Sequence, residues 1–214
     1  MDLLLPISVL LGGLLGECMR HLTRLLIKNR VGQDTKSPFL NGRWSTALWI
    51  MAGAVGCGVI ALWTSEIVIG IEYMGIFLVL ISLSAVDNSI RKIPNELILA
   101  LLILRLSAIA MQGDPAAFLP AVEGLAVGLI LFLIPSRLGI CIGWGDIKLA
   151  AAAGFCLGVV GILQAALVMA AVLAIYSLYL IISKRGNLKT KVAIGPPLSL
   201  GMMVTLMFPL TLAF

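Results

Sequence analysis

Long apolar runs separated by short polar breaks fill this chain. They predict helical spans at 2–19, 46–64, 67–86, 96–112, 117–135, 147–161, 162–183 and 192–213. Most are close to the ~20 residues a helix needs to cross a bilayer. All exceed the strands of about 10 alternating residues that build an outer-membrane barrel. The expected fold is all-α, a polytopic helical membrane protein with about eight transmembrane helices. The first run, Leu3 to Leu15, reads as a span and not as a signal peptide, because basic residues follow it and no small-residue cleavage site stands out.

Beyond the first span the pattern changes. Met19, Leu22, Leu25 and Leu26 alternate with Arg20, Arg24 and Lys28 at helical spacing. This predicts a basic amphipathic extension lying on the membrane surface. Gln33 to Gly42 is a polar loop containing Pro38, without apolar periodicity. The chain divides into a two-helix part, residues 1–66 with a basic loop at about 20–45, and a six-helix core, residues 67–214. Gly12-x-x-x-Gly16, Gly124-x-x-x-Gly128 and Gly154-x-x-x-Gly158, with Ala150 to Ala153, offer small faces for close helix packing.

Composition agrees with this picture. The chain is 61% hydrophobic and 12% charged, and its mean hydropathy is +1.12. Soluble domains carry roughly twice that charge fraction. The net charge of +5 is distributed unevenly. With alternating connections, Arg20, Arg24, Lys28, Arg30, Lys36, Arg43, Arg91, Lys92, Arg137, Lys148, Lys184, Arg185, Lys189 and Lys191 fall on one side. Arg105 lies inside a span, and Asp2, Glu66, Glu72 and Asp114 fall opposite. The positive-inside rule makes the basic side cytoplasmic and puts the N-terminus outside. The positive charge thus answers to the anionic inner leaflet of the lipid bilayer and not to nucleic acid.

Two aspartates stand out against this frame. Asp87 and Asp146 each sit where a span meets a loop on the basic side, Asp146 closing Gly143-Trp144-Gly145-Asp146. Two carboxyls held together share a proton, so that one can take a proton from water while the other polarises a carbonyl. Gly143 and Gly145 let the backbone take unusual conformations and let a substrate strand approach. Pro94 is placed to start the fourth helix, where its missing N–H costs nothing. The bland reading of each aspartate alone is a solvated loop residue.

The combination resembles a known family. Asp87 with Ile93-Pro94-Asn95, Gly143-Trp144-Gly145-Asp146-Ile147-Lys148-Leu149, and Ile194-Gly195-Pro196-Pro197-Leu198-Ser199-Leu200-Gly201 look like the motifs of the type IV prepilin peptidases, GxGD-type aspartyl proteases of the bacterial inner membrane. The resemblance covers about residues 87 to 201. It implies Asp87 and Asp146 as the catalytic pair and Gly143 and Gly145 as shaping the second loop. It implies as substrates type IV prepilins and the pilin-like precursors of type II secretion, cut on the cytoplasmic side after a glycine. Gly195 and Pro196 fall in the C-terminal motif; Lys148 has no assigned role beyond a cytoplasmic anchor.

The chain also departs from the family pattern. Many members carry a longer first loop with two C-x-x-C pairs and also methylate the new N-terminus with S-adenosylmethionine. Here Cys18, Cys57, Cys141 and Cys156 form no such pair, so no metal is expected. Proteolysis itself needs no cofactor. Glu17, in Gly16-Glu17-Cys18-Met19-Arg20, is the residue to watch for methylation. Arg105 and Glu123 lie at similar depth on consecutive spans and are expected to pair. His21, the single histidine, is expected at headgroup level.

Two other functions compete. One is a presenilin-like intramembrane protease of other substrates; the Ile-Pro-Asn segment and the position of the aspartates at a membrane edge favour the prepilin reading. The other is a small proton- or cation-coupled transporter, which would place its ionisable groups near the midplane. The oligomeric state is left open by the sequence.

Overall fold

The computed structural model describes residues 4–32, 37–113, 115–139, 142–183 and 193–210. Asp2, Lys36, Asp114, Cys141, Lys184, Arg185, Lys189 and Lys191 lie outside the described residues. Among the described residues the fold is all-α. Its elements are α1 (Leu4–Val31), α2 (Pro38–Asn41), α3 (Ser45–Trp63), α4 (Ile67–Ile90), α5 (Asn95–Gln112), α6 (Phe118–Arg137), α7 (Trp144–Ile182) and α8 (Gly195–Met207). A single 3₁₀ turn, Pro115–Ala117, leads into α6. Five of them, α3 to α7, are long and apolar enough to cross a membrane, the α6 span including that turn. This is a multi-pass membrane protein.

α7 covers two of the expected spans. It is broken at Gly158, whose φ of 71° and ψ of −176° no L-residue adopts easily. The break lies a few residues before the predicted junction. It is sharp: a Cβ on Gly161 would fall 2.6 Å from the Cβ of Leu157. Beyond it, α7 runs antiparallel to α8. Gly201 lies against Ala165 and Gly161 near Thr205. The Gln164 side chain donates to the Phe208 carbonyl at 2.8 Å and accepts from the Leu210 N–H at 3.0 Å. The small faces pack as expected, with Gly12 and Gly16 against α3, and Gly124 and Gly128 against the first half of α7. Lipid offers little hydrophobic drive to helix association, so close backbone approach of this kind supplies van der Waals contact instead.

The basic extension is not a separate surface helix. It continues α1 without interruption to Val31. Arg20, Thr23 and Ile27 recur at helical spacing on its buried side. That face packs inward because the loop after it is tethered there. The Leu40 carbonyl accepts from Arg20 Nη1 at 3.1 Å and Arg24 Nε at 2.8 Å, and also from Arg24 Nη2. The neighbouring Phe39 carbonyl accepts from Ser45 Oγ at 2.6 Å and Trp49 Nε1 at 3.0 Å. Ile27 and Leu40 join one core with Trp49, Leu80, Leu83, Leu101, Leu149, Leu198 and Met202.

Arg105 does not pair with Glu123. Its Nη1 sits 3.1 Å from Glu72 Oε1 and 3.2 Å from Oε2, while Glu123 is exposed. Glu72, grouped by sequence with the outer charges, is 3% exposed, more than a turn inside α4. The two helices that meet at this depth are α4 and α5, not α5 and α6. Matching depth alone could not choose between the two carboxylates.

Candidate active site

Asp87 occupies the last turn of α4 and is 5% exposed. The helix stops four residues later because Arg91 turns left-handed, φ 51° and ψ 38°, and its N–H caps the Asp87 carbonyl at 2.8 Å. Among the described residues Arg91 is the one non-glycine with positive φ. Such backbone costs of order 1 kcal/mol and gathers at functional sites. The chain then reaches Pro94, which is buried and extended at the N-cap and not at the first helical position expected of it, so α5 opens at Asn95.

Asp146 comes from the other side. The Gly143 carbonyl accepts from the N–H groups of Asp146 and Ile147 at 3.0 and 3.2 Å, and this turn starts α7. Gly143 lies beside the Asp146 carboxyl: a Cβ there would stand 3.1 Å from Oδ2. Gly145 packs against Ile93, where a Cβ would stand 3.3 Å from the Ile93 Cβ. Through that contact the second aspartate loop sits on the turn that follows the first. The Asp146 carboxyl is half-buried and close enough to Asp87 for the two charges to interact. Two carboxyls this near repel each other when both carry charge.

Gly195 closes the site from the third motif. A Cβ on Gly195 would fall 2.5 Å from Asp87 Oδ2 and 3.0 Å from its Cγ. Only a residue without a side chain lets the start of α8 lie against this carboxyl. Pro196 follows in the first turn of α8. Lys148 Nζ reaches Asn95 Oδ1 at 3.4 Å, a long and exposed contact. The structure thus gathers Asp87, Pro94, Asn95, Gly143, Gly145, Asp146, Lys148, Gly195 and Pro196 at one end of the helices.

Glu17 stands apart from this group. Arg20 Nε donates to its Oε2 at 2.8 Å, Arg20 Nη2 pairs with Oε1, and His21 Nε2 lies 3.3 Å from Oε1. Both oxygens of Glu17 thus have partners within α1. Cys18, Cys57 and Cys156 are free thiols. Among the described residues no three His, Cys, Asp or Glu side chains cluster as metal ligands.

Sequence reasoning passed over Phe39, whose carbonyl is anchored while its side chain remains 55% exposed. An apolar Phe-Leu pair in a polar loop, together with arginines four residues apart on α1, was the available signal.

Residues 74–178 match the type IV leader peptidase family. This stretch belongs to that family. The leader-peptidase segment contains Asp87, Asn95, Gly143, Asp146 and Lys148, and Gly195 comes to it from outside the matched range. No curated protein and no solved structure matches the chain.

Proposed function

We infer that this peptidase is an aspartyl endopeptidase that removes the leader from type IV prepilins or pilin-like precursors. The observation that carries the reading is the approach of Asp87 and Asp146 within the leader-peptidase segment, with Gly195 against Asp87. The ionised carboxyl of the pair takes a proton from a water molecule. The water oxygen bonds to the scissile carbonyl carbon, and the protonated partner gives its proton to the carbonyl oxygen. Collapse of the tetrahedral intermediate breaks the C–N bond, and the leaving nitrogen takes up a proton from the pair.

The reaction takes place at the cytoplasmic face of the bacterial inner membrane. Arg91 and Lys148 beside the pair, and Arg20, Arg24, Lys28 and Arg30 along the end of α1, support this sidedness. The position of the carboxyls at helix ends argues against a transport site. The proteolytic step uses no cofactor.

The test is cleavage of a panel of prepilins co-reconstituted with wild type, Asp87→Asn or Asp146→Asn, each shown to be folded and inserted. The expected result is cleavage by wild type and near-total loss in both variants. Cleavage by either variant would overturn the paired mechanism, and an inactive wild type would overturn the substrate class.

A further inference from the structure

A groove of about 400 Å³ opens beside Asp87, lined by Phe39, Leu48, Asn88, Pro196, Leu200 and Met203 among others. We propose that it is the seat of the substrate's own membrane helix, the apolar segment that follows the scissile bond. This rests on the peptidase reading above.

The argument is one of continuity. Asn88 follows Asp87 in the chain, and Pro196 follows Gly195, which lies against the Asp87 carboxyl. The end of the groove at Asn88 and Pro196 is therefore one residue along the chain from Asp87 and from the Gly195 that lies against it. A peptide bond held at the aspartate pair must lead its neighbouring residues into whatever adjoins it. What adjoins it is a mostly apolar channel between α3, α4 and α8, and its walls at Leu48, Ala52 and Leu200 are exposed on the lipid-facing surface. A helix already in the bilayer can enter sideways and set side chains into such a channel at i, i+3, i+4 and i+7 spacing.

Two details favour a peptide over a lipid chain. Ser84 and Asn88 lie one helical turn apart on α4 and both line the groove. An acyl chain offers nothing for their polar groups to bind, whereas peptide backbone beside a cleavage site does. The Phe39 wall is also held in place, its carbonyl fixed by Ser45 and Trp49 and the next carbonyl by Arg20 and Arg24. A fixed wall selects the shape of what it receives. Phe39 and Ala52 thereby become residues that determine which precursor helices are accepted.

Two measurements in proteoliposomes test this. Ala52→Trp fills the groove. It is expected to lower kcat/KM for a full-length precursor at least ten-fold more than for a peptide ending a few residues past the cut. An equal loss on both substrates overturns the proposal. Second, a photoreactive benzoylphenylalanine replaces Leu48 or Leu200 in an Asp146→Asn background that holds uncut precursor. These probes are expected to join to the apolar helix of the precursor, and the same probe at the exposed Leu178, which does not line the groove, to lipid only. If the groove probes capture only lipid while wild type cuts, the groove assignment falls and the peptidase reading stands. If wild type cuts no precursor, both fall together.

Discussion

α4 carries two buried carboxylates with opposite neighbours. Glu72 meets the guanidinium of Arg105, and Asp87 lies within electrostatic reach of the Asp146 carboxyl. The first pair joins unlike charges deep in the bundle, where a lone ion would be costly and its partner offsets that cost. The second joins like groups at a helix end, where neither satisfies the other. One pair holds helices together, while on the proposed reading the other leaves a proton to be moved. Position along a single helix would then separate a structural carboxylate from a chemical one.

The comparison breaks most severely at the like pair. Replacing Asp87 or Asp146 by Asn is expected to slow leader release by about 10³-fold with the fold intact, the scale of lost acid–base catalysis; a gel-shift time course on reconstituted enzyme measures it. At the unlike pair the expected damage is to stability. Glu72→Gln leaves Arg105 buried without its counter-charge and should cost about 3 kcal/mol. Adding Arg105→Gln should recover part of that, and Glu123→Gln should cost nothing measurable. Unfolding in mild detergent separates these, and a destabilising Glu123→Gln would sink the assignment of partners. Gly195→Ala sharpens the contrast, because its Cβ must displace the Asp87 carboxyl. A fall of about 10²-fold in kcat/KM is expected from misplacement alone, with the thermal midpoint little changed. Lys148→Gln should be mild, with stability within about 0.5 kcal/mol of wild type, because its contact with Asn95 is long and exposed.

The apolar pattern made the helices legible, since each stretch had to satisfy its own backbone in lipid. The aspartates were legible because they interrupt that pattern beside glycine and proline. Gly195 was legible as part of a motif, but its contact with Asp87 was not. Approach between residues more than a hundred positions apart depends on how α8 docks, which local spacing does not encode. Arg105 was visible as a buried charge, yet depth along a helix says nothing of which neighbour it faces. Gly158 was seen as a small packing residue, and its left-handed backbone was hidden because an apolar run reads the same through a break as through a straight helix. Phe39 was overlooked because its importance comes from carbonyls fixed by α1 and α3, a matter of main-chain tethering and not of side-chain pattern.

The Glu72–Arg105 contact also bears on how the chain is made. Handing a helix with an unpaired buried charge to lipid alone is costly, though less so for Glu72, five residues into α4, than at a helix centre. α4 finishes synthesis before α5 and carries the acid without its base. The two helices are joined by only Arg91 to Pro94, so they can leave the insertion machinery as one hairpin with the charges already matched. Ribosome-bound chains ending before α5 are expected to remain crosslinked to the translocon. Chains that extend well beyond α5 are expected to have passed into lipid, and Arg105→Leu should erase that dependence on length. An ion pair that holds two helices in the finished protein would then also set the order in which they enter the membrane.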